Sequence, residues 1–386
     1  MNDKNKFQTG NVILISIAHM LHDIFSSFLA PILPLLIDKL KFSYSLAGLL
    51  TIFQRGSSLL NPFIGLIADK LPVRYLLIVS PAITAIVMSL LGSAPHYIVL
   101  VILLLIMGVS ASLFHVPAPV MIRKIAGTKV GKAMSFFMLG GEFARSLGPL
   151  VILGSVSVWG LEGTWKLIPF GIAASVVLYF KLSKIKISDE FRKDKAEISI
   201  KKTLISYMPL FIGITGVSFF NSLVKASMTY FLPTFITAKG ESVWLGGISF
   251  SILQFAGAAG TLVSGTISDK VGRRTTLFIA TIVSPVLMLL FIYVDGVLMF
   301  VLLILLGVFL FGTTPVMMAE INDLKSERPA FLNGIYMTIN FGAGAITIMI
   351  IGALGDLLGL EESFLISALL GFAAIPFVFK FSNKRH

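Results

Sequence analysis

The 386-residue chain contains no cysteine and few charged residues. Without cysteine it has no disulfides, no thiolate metal sites and no cysteine nucleophile. Charged residues make up 13% of the sequence, about half of their share in soluble domains, whereas 56% of the residues are hydrophobic and the mean hydropathy is +0.93. This composition excludes an ordinary soluble protein and is typical of a chain that crosses a membrane many times.

Signatures of metalloproteases and of ATP-driven pumps are also missing. The sequence has no HExxH, and GTKVGKA at 127–133 has the wrong spacing for a phosphate-binding loop. In that segment Ala133 stands where a Ser or Thr would bind magnesium. We therefore predict neither an enzyme nor an ATPase, and we expect no cofactor.

Twelve apolar runs are long enough to cross a bilayer. The predicted spans, numbered 1 to 12 in chain order, are 11–38, 45–68, 75–93, 97–122, 131–156, 163–182, 204–232, 242–268, 275–294, 297–320, 329–354 and 362–381. The one long polar connection, 181–202, carries eight Lys or Arg and four Asp or Glu. We predict an all-α membrane protein with two pseudo-symmetric six-helix halves, 1–182 and 204–386, joined by a cytoplasmic linker at 183–203.

The basic residues indicate the orientation of the spans. Positive residues concentrate in cytoplasmic loops, and an inner N-terminus leaves four of them in the outer loops: Lys39, Lys41, Lys166 and Lys239. The net charge of +12 is thus a topology signal and not a nucleic-acid-binding surface. We expect an inner-membrane protein with both termini in the cytoplasm. The segment MNDKNKFQTG lacks a cleavage site, so we expect span 1 to be retained rather than removed as a signal peptide.

Two loops carry related motifs at an offset of 200 residues. GLIADKLPVR (65–74) follows span 2 and GTISDKVGRR (265–274) follows span 8. Duplicated six-span units of this kind place the substrate site at the interface of the two halves, near the middle of the membrane.

The pattern G-x-x-x-D-K-x-[GP]-x-R in both loops resembles the loop motif of the major facilitator superfamily, and the twelve-span frame covers the whole chain. The resemblance implies that Asp69 faces the start of span 11, near Arg328 and Pro329, where a helix dipole favours a carboxylate. Such a contact would latch the cytoplasmic side closed. Pro72 replaces the usual glycine of the first copy. The implied latch residues are Gly65, Asp69, Lys70, Arg74, Gly265, Asp269, Lys270 and Arg273.

Other stretches resemble the fosmidomycin-resistance type of exporter within that superfamily, which implies proton-driven efflux. They are HMLHDIFSSFLAPILPLL in span 1, SSLLNPFIGLIADK in span 2 and SLFHVPAPVMIRKIA in span 4. MLGGEFARSLGPL (138–150) in span 5 is similar to the Gly- and Pro-rich motif of antiporters. Many proton-coupled drug exporters carry an arginine four residues before a glycine of span 4, but here Leu104 precedes Gly108 at that distance. Coupling through that arginine is not available.

Ionisable residues inside spans are costly, so they usually face a cavity or a partner. His19 and Asp23 lie one helical turn apart in span 1, with His22 beside them. A carboxylate one turn from an imidazole favours the charged ring, which makes the pair a candidate proton acceptor. A satisfied hydrogen bond between helices is the alternative, above all for His22.

Further candidate residues lie in spans 2, 4, 5, 7 and 11, which the resemblance places around the central cavity, whereas spans 3, 6, 9 and 12 would face lipid. The predicted proton-coupling residues are His19, Asp23 and Glu142. The predicted substrate-binding residues are His19, Asp23, Arg55, His115, Arg145, Asn221, Lys225 and Tyr336. Glu142 and Arg145, spaced i, i+3, are alternatively a structural ion pair.

The intramembrane charges favour one class of substrate. Arg55, Arg145 and Lys225 outnumber Asp23 and Glu142, and arginine binds carboxylates and phosphonates through paired hydrogen bonds. We therefore predict a monomeric carrier in the lipid bilayer that exports small anionic or zwitterionic drug-like compounds against protons by alternating access.

Two other functions stay open at the level of sequence. The same fold permits uptake of an organic anion. It also permits transport of a divalent metal bound by His19, His22, Asp23 and His115, because imidazole and carboxylate suit such metals. The intramembrane cations would repel a metal ion, which makes this alternative the weaker one.

Overall fold

The computed structural model describes residues 7–57, 73–127, 130–182, 200–324 and 329–381. The α-helices are Thr9–Ser26, Leu29–Leu40, Tyr44–Gly56, Val73–Ser89, Tyr97–His115, Pro117–Ile125, Val130–Trp159, Ile168–Leu182, Ile200–Ala226, Leu232–Ala238, Val243–Val271, Arg273–Ile292, Gly296–Asn322, Pro329–Leu358, Leu360–Gly371 and Ile375–Val378. Short 3-10 turns occupy Leu91–Ser93, Glu162–Leu167 and Phe372–Ala374, and a π-helical turn occupies Ser227–Phe231.

Eleven helical segments among the described residues are long and apolar enough to cross a membrane. They correspond to predicted spans 1 and 3 to 12. The helix Tyr44–Gly56 begins predicted span 2, and residues 58–72 lie outside the described part of the chain. Large apolar side chains such as Val158, Phe170 and Val297 are more than half exposed. Because lipid matches such a surface and water does not, the fold is that of a multi-pass membrane protein.

Three spans are interrupted next to a proline. Span 1 breaks at Ser27, four residues before Pro31, because proline offers no N–H to that carbonyl and its ring clashes with it. Span 4 breaks at Val116, before two prolines. In span 7 the π-helical turn precedes Pro233. Each break lies within a few residues of an ionisable side chain in the same span.

The chain packs as two compact units. The N-terminal unit comprises Met1–Phe42, Leu49–Arg192 and Gly240–Ser251, and the C-terminal unit comprises Ser43–Gly48, Lys193–Lys239 and Ile252–His386. Each unit therefore includes the first residues of one span whose remainder belongs to the other unit. The predicted boundaries at 182 and 204 stay a prediction.

In the C-terminal unit, Asp356 of span 11 caps the helix that begins span 2. Its Oδ1 accepts a hydrogen bond from the backbone N–H of Tyr44 at 2.6 Å, and its Oδ2 accepts one from Ser45 at 2.9 Å. A Cβ added to Gly352 would lie 2.7 Å from the carbonyl oxygen of Tyr44. The glycine thus permits the close approach that brings Asp356 to unpaired N–H groups at a helix start, where a negative charge is stabilising.

Spans 1 and 7 each end near a lysine that donates a hydrogen bond to a backbone carbonyl of the same unit. Lys39 Nζ donates to the carbonyl of Gly92 at 3.0 Å, and Lys239 Nζ donates to the carbonyl of Ile292 at 2.9 Å. Both lysines also pair with an acid, Glu162 at 2.8 Å for Lys39 and Asp295 at 3.6 Å for Lys239. Each lysine and each carbonyl in the second unit lies 200 residues after its counterpart, so the offset of the loop motifs extends to these contacts.

Candidate functional site

Asp23 lies among three histidines in the N-terminal unit. Its Oδ2 is 3.2 Å from Nε2 of His19, and its Oδ1 is 3.0 Å from Nδ1 of His22 and 3.2 Å from Nε2 of His115. The first two histidines belong to span 1 and His115 belongs to span 4. We call these four residues the histidine–aspartate cluster.

Aromatic rings cover most of the histidine–aspartate cluster. The ring of Phe114 stacks on His22 with centroids 4.6 Å apart, and the ring of Phe137 stacks on His19 at 4.0 Å. His22 is fully buried, and the side chain of His115 is 40% exposed. His115 is therefore the most exposed member of the cluster.

Glycines of span 5 allow this span to pack closely against span 1 and the histidine–aspartate cluster. A Cβ added to Gly141 would lie 2.6 Å from Cε1 of His19, and one added to Gly148 would overlap the hydroxyl of Ser27. Both glycines belong to the segment that is similar to the antiporter motif. Their role in this structure is to admit span 1 and its ionisable side chains.

Span 3 contributes a residue that the sequence did not reveal. The hydroxyl oxygen of Thr84 is 3.0 Å from Nε2 of His22 and 2.9 Å from the hydroxyl of Ser110 on span 4. Ser110 in turn donates to the carbonyl of Ser80 at 3.0 Å. The hydroxyls of Ser80 and Thr84, spaced i, i+4 on an apolar span, are the signal that could have indicated this contact. A threonine is not ionisable, however, and the resemblance implied that span 3 faces lipid.

Glu142 and Arg145 of span 5 bond to each other. The guanidinium of Arg145 donates to Oε1 of Glu142, and Glu142 is 8% exposed. This is the i, i+3 ion pair that the sequence offered as the alternative to a coupling role. The proton-coupling role of Glu142 stays a prediction.

The histidine–aspartate cluster is also the place, within the part of the chain that the structure describes, where a metal ion could bind. One ligand atom each of His19, Asp23 and His115 lies within 4.8 Å of the others, and these are ligand types that divalent metals accept. The same atoms can instead share protons, because the nitrogen–oxygen separations of 3.0–3.2 Å are those of hydrogen bonds.

A second polar group lies in the C-terminal unit. Lys225 of span 7 donates to the hydroxyl of Thr314 at 3.3 Å, and its Nζ lies 4.7 Å from the ring centre of Phe311. Asn221, one turn earlier, donates to the hydroxyl of Thr313 at 3.0 Å. The two threonines and Phe311 belong to span 10, from which the sequence had singled out no residue. Span 7 thus presents a lysine and an amide side by side, and span 10 supplies the hydroxyls that accept from them.

Two other predicted substrate-binding residues occupy different environments. Tyr336 is 2% exposed, and its hydroxyl donates to the carbonyl of Thr314 at 3.0 Å. Arg55 is exposed near the end of the helix Tyr44–Gly56. The structure therefore brings Tyr336 to the polar group around Lys225, and the substrate-binding roles of Tyr336 and Arg55 stay predictions.

The second copy of the loop motif forms a network around Arg273. Arg273 is 4% exposed, pairs with Asp269, donates to the hydroxyl of Ser268, and donates from its Nη2 to Oδ2 of Asp323 at 3.1 Å. The ends of spans 8 and 10 and the start of span 9 are joined in this way. Asp323 was not identified from the sequence.

The other motif residues add less to this network. Lys270 lies at the end of span 8, and Gly265 accepts from Arg273 through its carbonyl at 3.5 Å. The first copy of the motif cannot be compared, because Gly65, Asp69 and Lys70 and the side chain of Arg74 lie outside the described residues. Arg328, the expected neighbour of Asp69, also lies outside them.

Known proteins resemble this chain over 68% to 99% of its length. The fosmidomycin resistance protein of Escherichia coli (strain K12) is 25% identical over 99% of this chain and 95% of its own length. The multi-drug resistance efflux pump PmrA of Streptococcus pneumoniae serotype 4 is 23% identical over 68% of each chain. A solved bacterial homologue of the human lysosomal transporter Spinster superposes with a TM-score of 0.77 at 15% identity, covering 97% of this chain and 96% of that one.

The family model described as the Major Facilitator Superfamily matches residues 15–346 and 262–386. These matches include both compact units and the spans that carry the histidine–aspartate cluster and Lys225. The chain therefore belongs to the Major Facilitator Superfamily of membrane transporters.

Proposed function

We propose that the protein is a proton-coupled exporter of small anionic or zwitterionic organic compounds. The observation that carries the proposal is the buried carboxylate of Asp23 in contact with three imidazoles inside a membrane span. Imidazole is the side chain that changes its charge near neutral pH. An ionisable group buried in a membrane span costs free energy, so its presence points to a function. Proton exchange is a function that this set of groups can perform.

Export rather than uptake is supported by the relatives. One relative is named a fosmidomycin resistance protein and another a multi-drug resistance efflux pump. The span 5 motif is also similar to that of antiporters. The substrate class is supported by charge, because Lys225 and Arg145 can each bind an acidic group through charge-assisted hydrogen bonds. We further propose an inner-membrane location, cytoplasmic termini and alternating access by a monomer.

The test is transport by the purified protein in proteoliposomes under an imposed pH gradient. The panel contains anionic, zwitterionic and neutral compounds and includes fosmidomycin. Replacing Asp23 by asparagine keeps the shape of the side chain and removes its charge, so gradient-driven flux should fall to the level of empty liposomes. Asp38→Asn is the matched control, because Asp38 is exposed and pairs only with a neighbouring lysine among the contacts described.

Three results would contradict the proposal. Flux in Asp23→Asn that depends on the pH gradient as in the unmodified protein would show that the coupling group lies elsewhere. Movement of the substrate in the same direction as the protons, rather than in the opposite direction, would favour the alternative, uptake of an organic anion. Flux of a divalent metal ion in the same liposomes would favour the metal-carrier alternative, for which His19, Asp23 and His115 are suitably close.

A further inference from the structure

The two ring nitrogens of His22 contact different partners. Nδ1 lies 3.0 Å from Oδ1 of Asp23, and Nε2 lies 3.0 Å from the hydroxyl oxygen of Thr84. A neutral imidazole carries one hydrogen, so one of its nitrogens donates and the other accepts. The hydrogen bonds of the partners determine which nitrogen carries the hydrogen.

The hydroxyl groups beyond Thr84 determine the direction of this hydrogen bond. Ser110 Oγ lies 3.0 Å from the carbonyl oxygen of Ser80, which can only accept, so Ser110 donates its hydrogen there. Thr84 Oγ1 lies 2.9 Å from Ser110 Oγ, and Thr84 therefore donates to Ser110. With its hydrogen used in this way, Thr84 accepts from His22. Nε2 of His22 thus carries a hydrogen.

The nitrogen that faces Asp23 is consequently the one with a lone pair whenever His22 is neutral. Nδ1 and an ionised carboxylate would then be two acceptors 3.0 Å apart in a buried site. Buried polar atoms without a donor are costly. The contact is stable when a proton lies between the two atoms, on the ring or on the carboxyl group.

His19 is oriented in the same sense by a different partner. Its Nδ1 lies 2.7 Å from the carbonyl oxygen of Phe137 and must donate to it, so Nε2 faces Oδ2 of Asp23 at 3.2 Å without a hydrogen of its own in the neutral ring. The two contacts of Asp23 therefore each require a proton. The ring of His115 lies 5.2 Å from that of His22, centre to centre, and His115 can donate to Asp23 while neutral.

We propose that Thr84 and Ser110 are positioning residues that hold His22 with Nδ1 as an acceptor toward Asp23. Both ring nitrogens that face Asp23, Nε2 of His19 and Nδ1 of His22, are then acceptors when their rings are neutral. The use of a proton at these contacts in transport rests on the proposed function. The assignment of the hydrogen to Nε2 does not.

Nuclear magnetic resonance of the full-length protein in lipid nanodiscs tests the assignment without any substrate. The chain has five histidines, so labelling histidine with ¹⁵N gives few signals, and the signal lost in His22→Gln identifies His22. Ring ¹⁵N shifts distinguish the Nδ1–H form, the Nε2–H form and the doubly protonated ring. We expect His22 to show the last two forms and no Nδ1–H form. A populated Nδ1–H form in the unmodified protein would overturn the proposal.

Variants of Thr84 separate positioning from packing. Thr84→Val removes the acceptor and keeps the shape, so the Nδ1–H form of neutral His22, expected to be undetected in the unmodified protein, should become detectable. Loss of one hydrogen bond of about 1.4 kcal/mol shifts the ratio of Nδ1–H to Nε2–H about tenfold. Thr84→Ser keeps the hydroxyl and should restore the original spectrum. An unchanged ratio in Thr84→Val, or the same change in Thr84→Ser, would contradict the proposal.

A second variant and an internal reference guard against misfolding. Ser110→Ala removes the acceptor of the Thr84 hydrogen, so Thr84 can donate to Nε2 and His22 should change in the same direction. The His19 signal should keep its Nδ1–H in every variant, since Phe137 is untouched. A Ser110→Ala spectrum with unchanged His22 would count against the proposal even if Thr84→Val does not fold. Loss of gradient-driven flux in Asp23→Asn is a separate result, so failure of either idea leaves the other intact.

Discussion

At the scale of the residue, the two acids that are buried among the described residues of the N-terminal unit have different partners. Asp23 contacts three imidazoles, whereas Glu142 bonds to Arg145. A guanidinium stays charged at any physiological pH and does not give up a proton to a neighbouring carboxylate. Imidazoles can exchange protons with a carboxylate. This contrast favours Asp23 over Glu142 as the group that carries protons.

Lys225 provides a test of the substrate class at the same scale. A charge-assisted hydrogen bond contributes about 1.5–3 kcal/mol, so Lys225→Ala should weaken binding of an anionic substrate at least about tenfold and binding of a neutral one much less. Binding is measured by competition against transport in proteoliposomes. Lys166→Ala is the control, because Lys166 is exposed in the 3-10 turn Glu162–Leu167. Equal losses for both classes of substrate would mean that Lys225 has only a structural role.

The residues that the sequence predicted best are those linked by local spacing. His19 and Asp23 meet because i, i+4 positions share a helix face, and Glu142 and Arg145 meet at i, i+3. Contacts between distant spans were less accessible. The sequence grouped His115 with Asp23 only as possible ligands of a metal or substrate, and it gave no place to Thr84. The contact of Thr84 with His22 depends on how spans 1, 3 and 4 pack.

At the scale of the helix, the packing of span 5 against span 1 depends on small residues. Gly141→Ala would place a Cβ 2.6 Å from Cε1 of His19, a distance that forces the histidine or the helix to move. We expect proton-driven flux to fall at least about tenfold, since small displacements of reacting groups have effects of this size or larger. Flux and melting temperature are measured on the same preparations.

Gly154 of the same helix provides the matched control. Gly154→Ala meets no atom within 4 Å, and alanine is the better helix former by about 1 kcal/mol. Flux should therefore be unchanged and the melting temperature equal or higher. If both alanine variants transport alike, close packing at the histidine–aspartate cluster does not matter for function.

The cap on span 2 gives a prediction about one helix start. Asp356→Ala removes the acceptors of the Tyr44 and Ser45 amides, so hydrogen exchange at these two amides should accelerate about tenfold or more. Asp295→Ala is the control, because Asp295 precedes a helix to which its side chain makes no capping hydrogen bond. Equal acceleration in both variants would show that the carboxylate of Asp356 does not hold this helix.

The sequence predicted the approximate extent of the spans that the structure describes, but not where span 1 breaks. Apolar length indicated the spans, since about 20 residues are needed to cross a bilayer. Pro31 and Pro34 both lie in the second part of span 1, yet the helix breaks near Ser27 and continues through Pro34. Which proline interrupts a helix depends on whether neighbouring groups satisfy the released carbonyl, and that is a property of the packed structure.

At the scale of the whole molecule, the chain repeats itself at an offset of 200 residues. The loop motifs predicted this relation, and the contacts of Lys39 and Lys239 extend it to the opposite ends of the spans. A lysine that donates to the last carbonyls of a helix is stabilising at either copy. The polar groups of the two units do not follow the repeat, since one unit carries the histidine–aspartate cluster and the other carries Lys225. The duplicated frame thus supports two different chemistries.

The two copies of the loop motif are expected to differ in their effect on the conformational equilibrium. If Asp69 latches the cytoplasmic side against the start of span 11, Asp69→Asn removes a charge at a helix start worth roughly 0.3–1 kcal/mol, or up to ~2 kcal/mol when partly buried. A carrier near balance would change its ratio of states by about 2- to 30-fold. Asp269→Asn should change this ratio less, because Arg273 keeps its bonds to Asp323 and Ser268.

The ratio of states can be measured by thiol labelling. Single cysteines introduced at the cytoplasmic ends of spans 2 and 11 report the ratio through their reaction with a thiol reagent, and the absence of native cysteine removes background labelling. The same labelling rate in the parent and in Asp69→Asn would mean that Asp69 acts on topology and not as a latch.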